Sequence, residues 1–109
     1  MNIAARRGPR GQKEPNLVSK AIRQSAKGEE CTINLPGCNH DTATTVFCHM
    51  RYFTWAGMGQ KPPDILGFYA CSNCHAEQER GNAGFDDLLR ALGKTLLRLL
   101  AKGLITVKR

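Results

Sequence analysis

The sequence predicts a small α+β fold, and three observations carry that expectation. Two short runs rich in β-branched and aromatic residues, 44–50 and 65–70, flank a stretch rich in Gly and Pro, the composition of two strands and their loop. Leucines spaced three and four apart from Phe85 onward trace one face of a long helix. Cys71-Ser-Asn-Cys74 and Cys31-Thr-Ile-Asn-Leu-Pro-Gly-Cys38 are two hooks of metal-ligand type from distant parts of the chain.

The two residues between Cys71 and Cys74 let both thiolates grip one tetrahedral zinc. Pro36-Gly37 turns the chain just before Cys38, so Cys31 and Cys38 can supply the second pair. A structural zinc held by Cys31, Cys38, Cys71 and Cys74 is therefore expected. Paired disulfides or buried thiols are the bland alternative, and nothing in the sequence speaks for an oxidising compartment. At 109 residues, with 41% hydrophobic and 6% aromatic residues, the chain fits one domain with a thin core. A metal staple between distant segments substitutes for packing, and its removal should unfold much of the chain.

The formal charge of +7 points to a polyanionic partner without naming one. Four zinc-bound thiolates remove four charges and the ion returns two, which leaves about +5. Neither a secretory signal nor an apolar run of about 18 residues is visible, so a cytoplasmic protein without membrane association is expected.

In chain order, residues 1–16 hold Arg6, Arg7, Gly8, Pro9, Arg10, Gly11, Lys13 and Pro15. Such a composition buries no apolar area and predicts a flexible basic arm, with 17–109 as a single domain. Leu17–Ala26 reads as a short helix with Leu17, Val18, Ala21, Ile22 and Ala26 on one face, Lys20, Arg23 and Lys27 outward, and Gly28 as its stop. Asn39-His40-Asp41 is turn-like. Thr44–Met50 is the first strand, in which Cys48 and His49 face opposite ways. Residues 54–64 form a loop suited to close approach of a ligand. Ile65–Ala70 is the second strand, pairing antiparallel with the first, and a helix over His75–Arg80 follows the second hook.

The last third is an amphipathic helix. Phe85, Leu88, Leu89, Leu92, Leu96, Leu99 and Leu100 form its apolar stripe. Asp86, Arg90, Lys94, Arg98 and Lys102 step along another face, more readily a solvated surface than a DNA-tracking one. Gly103 stops the helix, and 104–107 could add a short strand. There is no internal repeat.

Three residues could carry chemistry. His75 and Glu79 stack at i and i+4 on one helical face, where they could hold Mg²⁺ or Mn²⁺, or a softer ion such as Zn²⁺ or Ni²⁺. His49 is then available as a base: a neutral imidazole takes a proton from water, and the hydroxide attacks phosphorus while the metal stabilises the leaving oxygen. Against this, His75 could be a surface residue or an alternative zinc ligand, His49 a histidine without chemistry, and Glu79 an ordinary exposed acid.

A strand ending in His, a loop, a second strand and a helix opened by Cys-x2-Cys-His resembles the HNH, or His-Me finger, nucleases with their zinc-stabilised ββα-metal core. More closely, four segments are similar to a small family of candidate nucleases encoded in lambdoid prophages, over roughly residues 22–106. They are Cys31 to Cys38 with its Pro-Gly, Cys48-His49-Met50-Arg51, Gly59-Gln60-Lys61-Pro62-Pro63-Asp64 and Ala70-Cys71-Ser72-Asn73-Cys74-His75. The resemblance implies an HNH-like ββα-metal domain, flanked by the N-terminal helix and the C-terminal amphipathic helix. It matches His49 to the general base and His75 to a metal-binding residue, and places Glu79 where a second helical ligand is common. Arg51 and Lys61, inside the quoted segments, are expected to contact nucleic acid.

The chain departs from the superfamily twice. Cys48 stands where Asp or His often precedes the base; it is either a thiolate ligand or an inert core-facing residue, and strand alternation favours the second. The middle Asn of the motif has no clean counterpart, although Asp64 lies near its place with altered spacing. The expected function is a metal-dependent endonuclease of phage or prophage origin that hydrolyses DNA, with structural Zn²⁺ and a catalytic Mg²⁺, Mn²⁺, Ni²⁺ or Zn²⁺. A non-catalytic zinc-stapled module that binds nucleic acid is the alternative, and an adaptor dimerising through the leucine-rich helix is a third. His49 and His75 separate the first two, since a pure binder needs neither.

Overall fold

A computed structural model describes residues 18–50 and 63–108 of the chain. The elements are α1 (Lys20–Gln24), a 3-10 turn (Thr42–Thr44), β1 (Val46–His49), β2 (Gly67–Ala70), α2 (Ser72–Glu79) and α3 (Phe85–Ala101). Together they make a small α+β domain with a two-stranded sheet and helices. The basic arm, Leu17, Arg51, Lys61 and all but the last two residues of the 54–64 loop lie outside the described residues.

The expected helices and the two paired strands are present, several of them shorter or shifted for local reasons. Ser19 caps α1 by accepting from Ile22 N–H, so the helix starts at Lys20 and leaves Val18 outside and exposed. Ile22 and Ala26 are buried, whereas Ala21 is exposed. The first strand loses Thr44 to the 3-10 turn, which Asp41 caps through Ala43 N–H. The second loses Ile65 and Leu66 to a turn in which Leu66 N–H reaches Pro63 O at 3.0 Å. The expected His75–Arg80 helix starts earlier, because Cys71 itself is the N-cap and Cys74 lies in the first turn. Residues 104–107 form no strand.

β1 and β2 pair antiparallel with Phe47 opposite Tyr69 and His49 opposite Gly67. Gly67 is dictated by packing: a Cβ there would come within 2.7 Å of both the Phe47 ring and the Cys48 carbonyl oxygen. On the edge of β2 away from β1, Tyr69 needs other partners for its backbone. Its carbonyl accepts from Thr32 N–H and the Thr32 hydroxyl, both at 2.9 Å. Its N–H is shared between the Thr32 and Thr95 hydroxyls, at 3.2 and 3.3 Å.

Thr95 sits on α3, which packs on β2. The buried line of α3 is Leu88, Ala91, Thr95 and Leu99, so the leucine stripe is narrower than the sequence suggests. Phe85 and Leu89, expected inside, are exposed. The face that meets the sheet edge needs a hydroxyl there, which leucine periodicity does not reveal. Helix α3 ends in a Schellman motif: Gly103 has φ +74°, Leu104 N–H reaches Leu99 O and Gly103 N–H reaches Leu100 O. The basic stripe is largely neutralised within the fold. Arg98 pairs with Glu29 at 2.8 Å and Glu30 at 3.5 Å, and Lys102 pairs with Glu29 at 2.5 Å. Arg90 donates to Ile33 O at 2.8 Å and Asp87 at 3.1 Å.

Candidate metal centre and active site

The core is built around sulfur. Cys31, Cys48, Cys71 and Cys74 are buried with Ile33, Leu35, Met50, Phe68, Ala70, Leu88 and Ala91. The sulfurs of Cys31, Cys38, Cys71 and Cys74 all lie within 4.8 Å of one another, and Cys38 and Cys71 are 3.8 Å apart. A tetrahedron of ~2.3 Å zinc–sulfur bonds has edges of about 3.8 Å, so four cysteines so placed could hold zinc. None of the cysteines is in a disulfide. Cys48 faces the core outside this group of four.

The backbone prepares each sulfur to be an anion. Asn34 N–H points at Cys31, Leu35 N–H at Cys74 and His40 N–H at Cys38, all at 3.4 Å, and Cys74 N–H points at Cys71 at 3.3 Å. Asn34 and His40 adopt left-handed φ of 48° and 55° to turn two of these amides inward. Burial raises the Cys71 thiol, but the amides of Cys74 and Asn39 and the neighbouring sulfurs overcome it and draw the value down to about 7. Burial pushes Cys74 far up, helped by Cys71 and Cys31. Four crowded sulfurs cannot all ionise without a cation among them, and one divalent ion removes the conflict.

The second constellation joins β1, the turn before β2, and α1. His49 Nε2 lies 2.7 Å from Asp64 Oδ1. Asp64 Oδ2 accepts from Ser19 N–H at 2.6 Å and from Arg23 Nε at 3.1 Å. Asp64 is only 5% exposed. Burial raises its pKa, yet the His49 hydrogen bond, the Ser19 amide and the charges of His49 and Arg23 outweigh that and hold the carboxyl below the usual range. An ionised Asp64 is an acceptor only, so the His49 nitrogen facing it carries a proton. Phe47 packs edge-on against the imidazole, with ring centroids 5.4 Å apart.

On α2, His75 Nε2 and Glu79 Oε2 are 3.7 Å apart and both partly exposed, as their i, i+4 spacing requires. Among the described residues, the four cysteines are the one group of three or more potential ligands that comes together, so His75 and Glu79 form a pair without a third. Ser19 and Arg23 were invisible to a reading of the site from sequence. Asp64 lies near a motif position in the sequence, where its signal is a single acid after two prolines, three residues ahead of Gly67, the partner of His49 in the sheet.

The model of the family described as "Putative nuclease YbcO" matches residues 20–101. Two relatives of that name, from Escherichia coli (strain K12) and from Enterobacteria phage 82, are each 36% identical over 91 residues, covering 77% of this chain and 95% of the relative. A solved structure described as "Structure of a putative bacteriophage protein from Escherichia coli str. K-12 substr. MG1655" superposes with a TM-score of 0.60 at 32% identity. It covers 76% of this chain and 100% of that one.

Proposed function

The chain belongs to the YbcO family, whose relatives bear the name of nucleases, and from that premise we propose that it is a metal-dependent DNA endonuclease of HNH-like ββα type, encoded by a phage or prophage. The observation that carries the reading is the pairing of His49, at the end of β1 and only partly buried, with the buried carboxylate of Asp64. A carboxylate that accepts a hydrogen bond from Nε2–H keeps the proton there and leaves the Nδ1 lone pair as the base. Nδ1 removes a proton from water, the oxygen bonds to phosphorus, and the bond from phosphorus to the leaving oxygen breaks. A pure binding module gains nothing from a histidine held in one tautomer.

Zinc on Cys31, Cys38, Cys71 and Cys74 would be structural, fixing α2 against the loop before β1. A divalent ion on His75 and Glu79, whether Mg²⁺, Mn²⁺, Ni²⁺ or Zn²⁺, would stabilise charge on the leaving oxygen. Arg51, Lys61 and the basic arm of residues 1–16 supply phosphate contacts, and 17–109 act as one domain.

Zinc-loaded protein incubated with supercoiled plasmid, and with RNA, in the presence or absence of added Mg²⁺, Mn²⁺ or Ni²⁺ tests this. Plasmid nicking that needs the added ion is expected, and His49→Ala should lower it by about 10²–10⁴-fold with zinc content unchanged. Equal cleavage by His49→Ala removes the base. Salt-sensitive DNA binding without cleavage leaves the zinc-stapled binding module.

A further inference from the structure

Helix α1 makes no strand pairing and lies outside the ββα succession, yet two of its groups end on the carboxylate that holds His49. Ser19 N–H and Arg23 Nε both donate to Asp64 Oδ2, which leaves Oδ1 for the imidazole. Ser19 is also the N-cap of α1, and its hydroxyl accepts from Ile22 N–H. The start of the helix, the arginine one turn along and the carboxylate are therefore one unit. Ile22, between them, is 2% exposed and anchors the helix to the body of the domain.

We infer that Asp64 and Arg23 are positioning residues: α1, through the Ser19 amide and Arg23, fixes the Asp64 carboxylate so that it locks His49 with its proton on Nε2 and Nδ1 bare. The catalytic consequence rests on the nuclease reading above, but the locked tautomer does not. A carboxylate with two donors on one oxygen cannot rotate without losing both, so its other oxygen has a fixed direction. The neutral imidazole opposite satisfies it by donating from Nε2, and Phe47 packs edge-on against one side of its ring.

The arrangement makes an unusual demand on Asp64→Asn. Ser19 N–H and Arg23 are both donors, so the amide oxygen of Asn must turn to them, and its NH₂ must face His49 Nε2. That nitrogen then has to be an acceptor, which moves the imidazole proton to Nδ1 and blocks the base. With only three histidines in the chain, His40, His49 and His75, the ring nitrogens can be assigned by NMR of the ¹⁵N-labelled zinc protein at a pH where the imidazole is neutral. The parent should show His49 protonated on Nε2, and Asp64→Asn should show it protonated on Nδ1. Plasmid-cleavage kcat should fall by about 10²–10⁴-fold in Asp64→Asn, the range for loss of a general base or its correct tautomer, with KM little changed.

Arg23→Gln is the milder variant should Asp64→Asn fold poorly. It replaces the charged Oδ2 donor by a shorter neutral amide and should give a mixture of His49 tautomers with kcat reduced about tenfold, which Arg23→Lys restores in part. If His49 keeps its proton on Nε2 in Asp64→Asn, or if Arg23→Gln raises KM and alters the salt dependence while leaving kcat and the tautomer intact, the inference is overturned. If the tautomer moves as stated and no variant or parent cleaves DNA, the positioning stands and the nuclease reading falls.

Discussion

Asp64 shows how much one buried carboxylate organises. Its pKa is lowered by folding, so its stabilisation is complete above the unfolded value of about 3.9 and is lost as pH falls through the lower folded value. Between pH 5 and pH 2 the parent should therefore lose more stability than Asp64→Asn, read from urea midpoints at each pH. Acid also protonates the clustered thiolates that a zinc ion would need, but that acts on both proteins alike. At the cysteines, Cys71→Ser should abolish stoichiometric zinc, because it takes one thiolate from the group of four, while the serine hydroxyl can still cap α2. Cys48→Ala should keep the zinc and lose on the order of 1 kcal/mol of packing, since its side chain is core rather than ligand. Elemental analysis of the purified variants reads the zinc, and denaturant unfolding reads the packing loss.

At the scale of elements, the two strands are short and depend on what surrounds them. Gly67→Ala would drive a methyl into the Phe47 ring and the Cys48 carbonyl, and the backbone oxygen cannot move aside. A loss of about 1–3 kcal/mol is expected, measured by denaturant unfolding, together with displacement of the His49 ring that packs on Phe47. Thr95→Val keeps shape and removes a hydroxyl that serves both Thr32 and the Tyr69 amide. It should cost about 1–3 kcal/mol, with Thr95→Ser close to the parent. α3 thus does more than cover the sheet with leucine: it completes the hydrogen bonding of a buried strand edge.

For the whole molecule, a zinc held by the four clustered cysteines would tie the loop at 31–38 to α2, which no secondary-structure pairing does. Stripping zinc with a strong chelator should collapse the far-ultraviolet helical signal cooperatively and expose apolar surface to a dye, and re-adding zinc under reducing conditions should restore both. Retention of the full signal after zinc loss would show that the apolar core alone suffices. The charge of the molecule also has an internal use. Arg98 and Lys102 are engaged by Glu29, so Arg98→Ala should lower stability more than it lowers affinity for DNA.

The spacing of the cysteines, the β-branched runs and the leucine periodicity determined by themselves that this chain is a small α+β domain with a four-cysteine cluster, because ligand spacing and residue periodicity are local properties. The Pro-Gly turn before Cys38 and Gly103 after α3 are legible for the same reason. Only the tertiary structure decided that Thr95 faces inward, that Glu29 absorbs the basic stripe and that Asp64, Ser19 and Arg23 converge on His49. Those contacts join residues 15 to 73 positions apart, and their partners are polar groups whose burial no periodicity announces. A lone acid or arginine reads as surface until the fold supplies the group it must satisfy.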